Sequence, residues 1–388
     1  MVIAPNNKML HKMQQRECLE ELSLLNIVRV KNSQHWKQFF QVPRFIYRKD
    51  PLWTPLPGDA EQQMFNPQNN HLLSRLKVEC FLALKQGRPV GRISAVTDDL
   101  LKDPRVGLFG CFETIDEPEV ARGLIDAAAQ SLVERGKSLA QGPATLNTSQ
   151  RVGLLIEGFN SPPQLMMPYN PAYYAKHLEE NGFYPLLDLY SYLWKHSNST
   201  NRRKLTVVAR RASRIPGLKL RPIRLNDPWD EGAKLATIHN ETMTMQWGFV
   251  PMSREEAAQY LEGLRGFTEP ELLMFCEVDH KPVGVILMIP DLGPQIRAAR
   301  NCRFPLMSTF FLQPKSVRVG VLSVTPTYRR RGVAALLIDY AINTLTKKGY
   351  RQAELSLIMD SNKDMNSIIT NTVGCSVNKK FRVYEKKL

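Results

Sequence analysis

Short apolar runs and longer stretches of helical spacing alternate along the chain, and the alternation occurs twice. In the first half, strand patterns fall at Ile27–Val30, Glu79–Leu84 and Val90–Val96, the last two joined by the glycine-bearing turn Lys85-Gln86-Gly87-Arg88. Strand Val106–Phe112 runs into Asp116-Glu117-Pro118-Glu119, acid and proline placed as at a helix start, and helix Val120–Arg135 is closed by Gly136. Strand Ser138–Gln141, a Pro/Gly-rich loop over residues 142–168, helix Pro171–Asn181 and strand Tyr184–Trp194 complete this half. Pro51–Asn70 reads as an ordered loop anchored by Trp53, and residues 1–25 as a polar extension with a leucine patch (Leu19, Leu22, Leu24, Leu25).

The polar stretch His196–Lys204 marks a linker, so the expected units are residues 26–195 and 216–388, with 196–215 between them. The second unit predicts strand Leu218–Leu225, helix Trp229–Met245, and helix Arg254–Leu264 with Ser253 and Glu256 in capping-box spacing. Strands Leu272–Val278 and Val283–Ile289 form a hairpin, and Asp291–Val317 is an insertion. Strand Val319–Val324, a helix carrying Val333, Leu337, Ala341 and Leu345, strand Glu354–Met359, a short helix and strand Phe381–Glu385 follow.

Self-comparison explains the repetition. Arg105-Val106-Gly107-Leu108 matches Arg318-Val319-Gly320-Val321 at an offset of 213 residues. Without a gap, the same offset pairs Val120-Ala121 with Val333-Ala334, Leu124-Ile125-Asp126 with Leu337-Ile338-Asp339, and Gly136 with Gly349. The copies differ at one turn. Arg329-Arg330-Arg331-Gly332 faces Asp116-Glu117-Pro118-Glu119, so cations and glycine stand against carboxylates and proline. A strand that breaks at a basic, glycine-bearing turn and becomes a helix suits phosphate, because the helix start offers free N–H groups and the positive end of its dipole. Only the second copy has that chemistry.

Val324-x-Pro326-x-x-Arg329-x-x-Gly332-x-Ala334 resembles the acyl-CoA-binding motif of the GNAT acyltransferase superfamily. Trp247-Gly248-Phe249-Val250-Pro251 and the ending Tyr384-Glu385-Lys386 resemble the bacterial YghO-like group in particular, with bacterial ceramide synthases as related tandem proteins. The implied fold is α/β, two GNAT-like domains in tandem, each a mixed central sheet flanked by helices, the first degenerate and the second binding acyl-CoA.

The resemblance implies N-acyl transfer from acyl-CoA, or an acyl carrier protein, to an amine such as a sphingoid-like lipid amine, with no metal. Pantetheine is expected along Leu322 and Val324, and pyrophosphate at Arg329, Arg330, Arg331, Gly332, Val333, Ala334 and Ala335. Glu354 and Glu241 are the candidate bases, and Asn362 matches the family's asparagine after the following strand. Trp247 and Phe249 are candidates for the substrate pocket wall. Each has a plainer reading: Glu354 as an exposed strand residue, Glu241 on a helix's outer face, the aromatics as packing, Asn362 as a helix cap. Thr370 stands where many family members carry a tyrosine acid; Tyr169, Tyr173 and Tyr174 of the first half are possible substitutes.

The formal net charge of +15 favours anionic partners. In Gln295–Val317, Arg297, Arg300 and Arg303 precede the cluster Phe304, Leu306, Met307, Phe310, Phe311 and Leu312. This composition fits a peripheral contact with an anionic membrane or, equally, a lid packed on the core. Six scattered cysteines without a CxxC pair read as reduced thiols of a cytoplasmic protein. No apolar run approaches the roughly 18 residues of a membrane span. Two rivals remain: an aminoacyl-tRNA-dependent transferase of Fem type, and a non-catalytic acyl-CoA- or nucleic-acid-binding regulator. The good CoA loop speaks against the first, and no helix-turn-helix or basic–aromatic sheet motif supports nucleic-acid binding.

Overall fold

The computed structural model describes residues 25–196, 202–300 and 313–388. The Leu19–Leu24 patch, Arg303, the Phe304–Leu312 cluster, Cys18 and Cys302 lie outside the described residues.

The first half runs β1 (Leu25–Arg29), α1 (Ser33–Ile46), α2 (Ala60–Met64), β2 (Leu76–Lys85), β3 (Arg88–Asp98), β4 (Val106–Thr114) and α3 (Pro118–Glu134), then β5 (Leu139–Gly142), β6 (Leu154–Glu157), α4 (Tyr173–Glu180) and β7 (Tyr184–Lys195). The second runs α5 (Arg202–Ala212), β8 (Leu218–Pro222), α6 (Pro228–Thr242), α7 (Arg254–Gly263), β9 (Leu273–Val278), β10 (Lys281–Pro290) and α8 (Gly293–Arg300), then β11 (Ser316–Val324), α9 (Val333–Lys347), β12 (Gln352–Met359), α10 (Lys363–Ser367) and β13 (Ser376–Lys387).

Local chemistry accounts for several boundaries. Gln86 and Gly87 both take positive φ, the geometry that a two-residue hairpin between β2 and β3 needs. Pro118 opens α3, and the Ser253–Glu256 capping box opens α7. The apolar stripe Val333, Leu337, Ala341 and Leu345 is buried, as its spacing predicts.

Several elements depart from expectation, among them α2, which lies within the stretch Pro51–Asn70 expected as a loop. Helix α1 is capped by Asn32, whose side chain accepts from the His35 amide, and it buries Phe39 and Val42. Strand β6 lies inside the long Pro/Gly-rich loop. The stretch expected as linker holds α5, whose Leu205, Ala209 and Ala212 are buried, Leu205 within the α9-side core.

The strands form one 13-stranded sheet in the order β1-β2-β3-β4-β5-β13-β7-β12-β11-β10-β9-β8, with β6 paired to β13. The two halves exchange their last strands. β13 pairs with β5 of the first half, and β7 pairs with β12 of the second. The exchanged strands also pair with each other, antiparallel, from Ser376↔Leu193 to Glu385↔Tyr184. The halves of the sequence are therefore not separate sheets.

Candidate active site

β11 and β12 run parallel from Ser316↔Gln352 to Val319↔Leu355, and there their pairing ends. β11 continues to Val324 held by β10, while β12 continues to Met359 held by β7. A strand paired on one edge turns its remaining N–H and C=O groups to the other. The wedge between the two strands is thus lined by backbone polar groups of Gly320–Val324 that β12 does not pair, the Val324 carbonyl being taken by Arg329. Val324 is buried in the core, and Leu322 packs at its margin with Ala334 and Ala335.

The turn that ends β11 is built for close approach. Arg330 has φ +60° and Gly332 φ +84°. A Cβ at Gly332 would stand 3.1 Å from both Val208 Cγ1 and Ala212 Cβ of α5, so only glycine fits without strain. The Leu336 amide makes the first helical bond, to the Gly332 carbonyl at 2.9 Å. The amides of Gly332, Val333, Ala334 and Ala335 therefore have no partner within the helix.

The three arginines divide. Arg329 donates to the carbonyls of Val324 and Thr242, each at 3.3 Å, and ties the turn to the end of α6. Two of its nitrogens are thereby engaged by backbone. All three are exposed beside the helix start; Arg330 and Arg331 make no hydrogen bond to those carbonyls, and the Arg331 guanidinium lies 5.4 Å from the Tyr328 ring.

Glu354 sits at the root of the wedge, opposite Arg318 in the β11–β12 register. It is only 2% exposed, not the solvent-facing residue of the plainer reading, and its Oε1 has no hydrogen-bond partner. Burial pushes its carboxyl up, against the pull of Ser191, Lys379, Asn378 and Arg318. Arg318 Nε donates to Ser356 Oγ at 3.0 Å. Lys379 is fully buried, and its ammonium donates to the carbonyls of Gly158 and Ser161, both at 2.7 Å. A buried cation between those strands was not anticipated from sequence, where charges read as exposed.

The other expected site residues are dispersed. Glu241 is exposed on the last turn of α6. Asn362 caps α10, accepting from the Met365 amide at 3.2 Å. Phe249 stacks on His239, and Trp247 Nε1 donates to Gln141 of β5 at 2.7 Å. Trp247 thus crosses to the first half, and Thr148 Oγ1 donates to the neighbouring Gly248 carbonyl at 2.7 Å. Thr370 is exposed. Tyr169, Tyr173 and Tyr174 are committed to Asp50, Thr114 and Glu113 within the first half. A tyrosine that sequence reasoning missed, Tyr192 of β7, is buried in the α9-side core and reaches Asn366.

The first half treats the equivalent places differently. β4 and β5 also part after Leu108↔Gln141, but the chain itself enters the gap, the Ala144 amide donating to the Phe109 carbonyl at 2.8 Å. A Cβ at Gly110 would lie 2.2 Å from the Ala144 carbonyl oxygen, so the space is filled. At the start of α3, Lys85 pairs with Glu117 at 2.6 Å and Glu119 at 3.5 Å.

A second polar cleft lies nearby in this half, lined by Glu61, Arg92, Glu113, Arg151 and Tyr169. Burial opposes the charge of Glu61, yet Arg92 and Arg151 outweigh it and hold its carboxyl below the usual range. Burial raises that of Glu113, which accepts from Tyr47 at 2.7 Å. On the rim, α8 of the second half is clamped down: Arg297 donates to Thr54 Oγ1, and Arg300 to the carbonyls of Tyr47, Arg48, Asp50 and Trp53. Those two arginines are spent on protein contacts, which removes them from the proposed membrane-facing set.

Among the described residues, no cluster of metal-ligating side chains occurs and no helix is long and apolar enough to cross a membrane.

Residues 233–367 match the acetyltransferase (GNAT) family model. The chain is 30% identical over 381 residues to the bacterial ceramide synthase of Caulobacter vibrioides, covering 94% of this chain and 98% of that protein. It is 28% identical over 373 residues to protein YghO of Escherichia coli, covering 92% and 94%. Among solved structures, a tandem GNAT protein from the clavulanic acid biosynthesis pathway superposes with a TM-score of 0.57 at 10% identity, over 94% of this chain and 98% of its own. A probable N-acyltransferase from Enterococcus faecalis V583 gives 0.54 at 10% identity, over 94% and 73%. At those identities the two structures speak for the fold, and the sequence relatives carry the kinship. The parted strands, the glycine turn and these relatives lead to one conclusion: the chain belongs to the GNAT acyltransferase family, in its tandem form.

Proposed function

We propose that the chain transfers an acyl group from a pantetheine thioester, acyl-CoA, to the amine of a long-chain, sphingoid-like amino lipid. The observation that carries the reading is Glu354: a buried carboxylate oxygen without a partner, at the root of a wedge whose mouth is a helix start with four free amides. The pantetheine arm pairs with the free edge of Gly320–Val324, and the amides of Gly332–Ala335 hold the pyrophosphate with Arg330 and Arg331 beside them. Glu354 takes one proton of the acceptor ammonium, the nitrogen bonds to the acyl carbon, and the carbon–sulfur bond breaks, the thiolate leaving as the free thiol with the second proton shed by the nitrogen. Backbone N–H groups of β11 stabilise the oxygen as it gains charge. The lipid acceptor is supported by likeness to a protein named bacterial ceramide synthase over nearly its full length. The filled gap and paired carboxylates of the first half support one donor site per chain.

The test is incubation of the full chain with palmitoyl-CoA and a panel of primary amines, long-chain amino alcohols included, with mass spectrometry for the amide. Amide formation confined to the long-chain amino alcohols is the expected result. Amide formed only on short polar amines would reject the lipid acceptor. Failure of palmitoyl-CoA to bind in calorimetry would reject the donor site.

A further inference from the structure

Helix α5 is the centre of the most one-sided charge in the chain. Residues 189–226 contain ten Lys and Arg and no Asp or Glu. One side of α5 is buried through Leu205, Ala209 and Ala212. The other side is exposed and cationic, with Arg203, Lys204, Arg210 and Arg211 around Val207 (45% exposed) and Val208 (41%). Helical spacing aligns Lys204, Val208 and Arg211 in one stripe and Arg203, Val207 and Arg210 in the next, so each valine has cations on both sides. None of these four cations has an ion-pair partner among the described residues. Val208 also abuts Gly332, the glycine of the phosphate turn.

We propose that α5 is the docking face for a small acidic carrier protein that delivers the acyl chain on phosphopantetheine. The inference rests on the wedge being the pantetheine site and names the natural form of the donor. Three observations favour it. The cations extend along the roughly 16 Å of an eleven-residue helix, beyond the Arg330–Arg331 turn that the phosphate itself uses. An apolar centre inside a charged rim is the make-up of a protein interface, and opposite charge steers such an encounter. A membrane-lying helix would instead turn a broad apolar face outward, whereas the apolar stripe of α5 faces the protein core.

The experiment compares the full chain with two charge-reversed variants, Lys204→Glu/Arg211→Glu and Arg203→Glu/Arg210→Glu, neither of which touches the turn. Probes are an acidic bacterial acyl carrier protein charged with palmitate, palmitoyl-CoA, and vesicles containing phosphatidylglycerol. The expected result is that binding of the charged carrier protein weakens about tenfold or more and falls steeply with salt, while palmitoyl-CoA affinity stays within about twofold. Circular dichroism and thermal melting verify that the variants fold, and Lys204→Gln/Arg211→Gln gives an intermediate loss. Binding of palmitoyl-CoA without binding of the carrier protein would overturn the proposal and leave the donor site standing. Equal loss for both thioesters would assign α5 to the nucleotide, and loss of vesicle binding alone would assign it to lipid; either overturns it. If neither thioester binds the unaltered chain, the donor site itself fails.

Discussion

Tyr192 Oη donates to Asn366 Oδ1 at 2.9 Å, joining a strand of the first half to helix α10 of the second. Asn366 in turn donates to the Met359 carbonyl at 2.9 Å and, through its own carbonyl, accepts from Thr370 Oγ1 at 2.9 Å. The exchanged strand thus delivers a tyrosine one helical turn from the place where Thr370 stands. If Tyr192 supplies the leaving thiolate's proton, Tyr192→Phe lowers kcat about tenfold with KM little changed, since acid catalysis acts only in the transition state. Steady-state kinetics with palmitoyl-CoA checks this. An unchanged kcat, with only the ~1 kcal/mol stability loss of a deleted hydrogen bond, would make the contact purely architectural.

Glu354→Gln is expected to lower kcat/KM by about 10²-fold or more. It also has a signed effect on stability. Burial raises the carboxyl of Glu354 above its unfolded value, so its contribution is fully present below pH about 4.5 and is lost as pH rises through the raised folded value. At pH 8 the uncharged glutamine therefore melts higher than the native chain, and the difference vanishes as pH falls toward about 4.5. Activity of the native enzyme falls as pH drops through a value above the usual carboxylate range. Melting curves from pH 4 to pH 8 that move in parallel would refute the assignment.

Trp247 joins the halves through Gln141 and packs against the first half's core. Trp247→Ala removes that packing and leaves Gln141 Oε1 without its donor, a loss of about 2 kcal/mol or more. Calorimetry is expected to show one transition shifted downward as a unit. Two separate transitions in the variant would show that the halves melt independently.

The chain ending at residue 196 and the chain starting at residue 202 are each expected to be insoluble or poorly folded when produced alone. The first would expose the edge of β5, the second the edges of β12 and β13, and unpaired edges aggregate. Produced together, they should assemble into one soluble complex. A folded, monomeric first half by size exclusion and circular dichroism would contradict this.

Much of the fold was legible because local chemistry dictates it. The 213-residue repeat, the glycine-closed helices and the capping box depend on residues near one another in sequence. Helix α5 was hidden because its buried stripe is a leucine and two alanines among arginines, a pattern that resembles a polar linker. Helix α1 has its signal in Trp36, Phe39, Phe40 and Val42, interrupted by Pro43, which weakens the helical reading. The turn at Gly332 was readable, but the contacts of the Arg329 side chain with backbone were not, because charge does not disclose which carbonyls stand nearby. Strand exchange was invisible for the same reason: alternation marks a strand and says nothing of its neighbour.

The central place of β13 bears on how the chain is made. Ribosomes deliver residues in order, and domains ordinarily fold as they emerge. Here nearly four hundred residues must leave the ribosome before β5 and β7 receive the strand that lies between them. Until then, the first half waits with an open seam, and its strands are exposed to chaperones and to other nascent chains. Emergence of β13 and closure of the sheet become a single event.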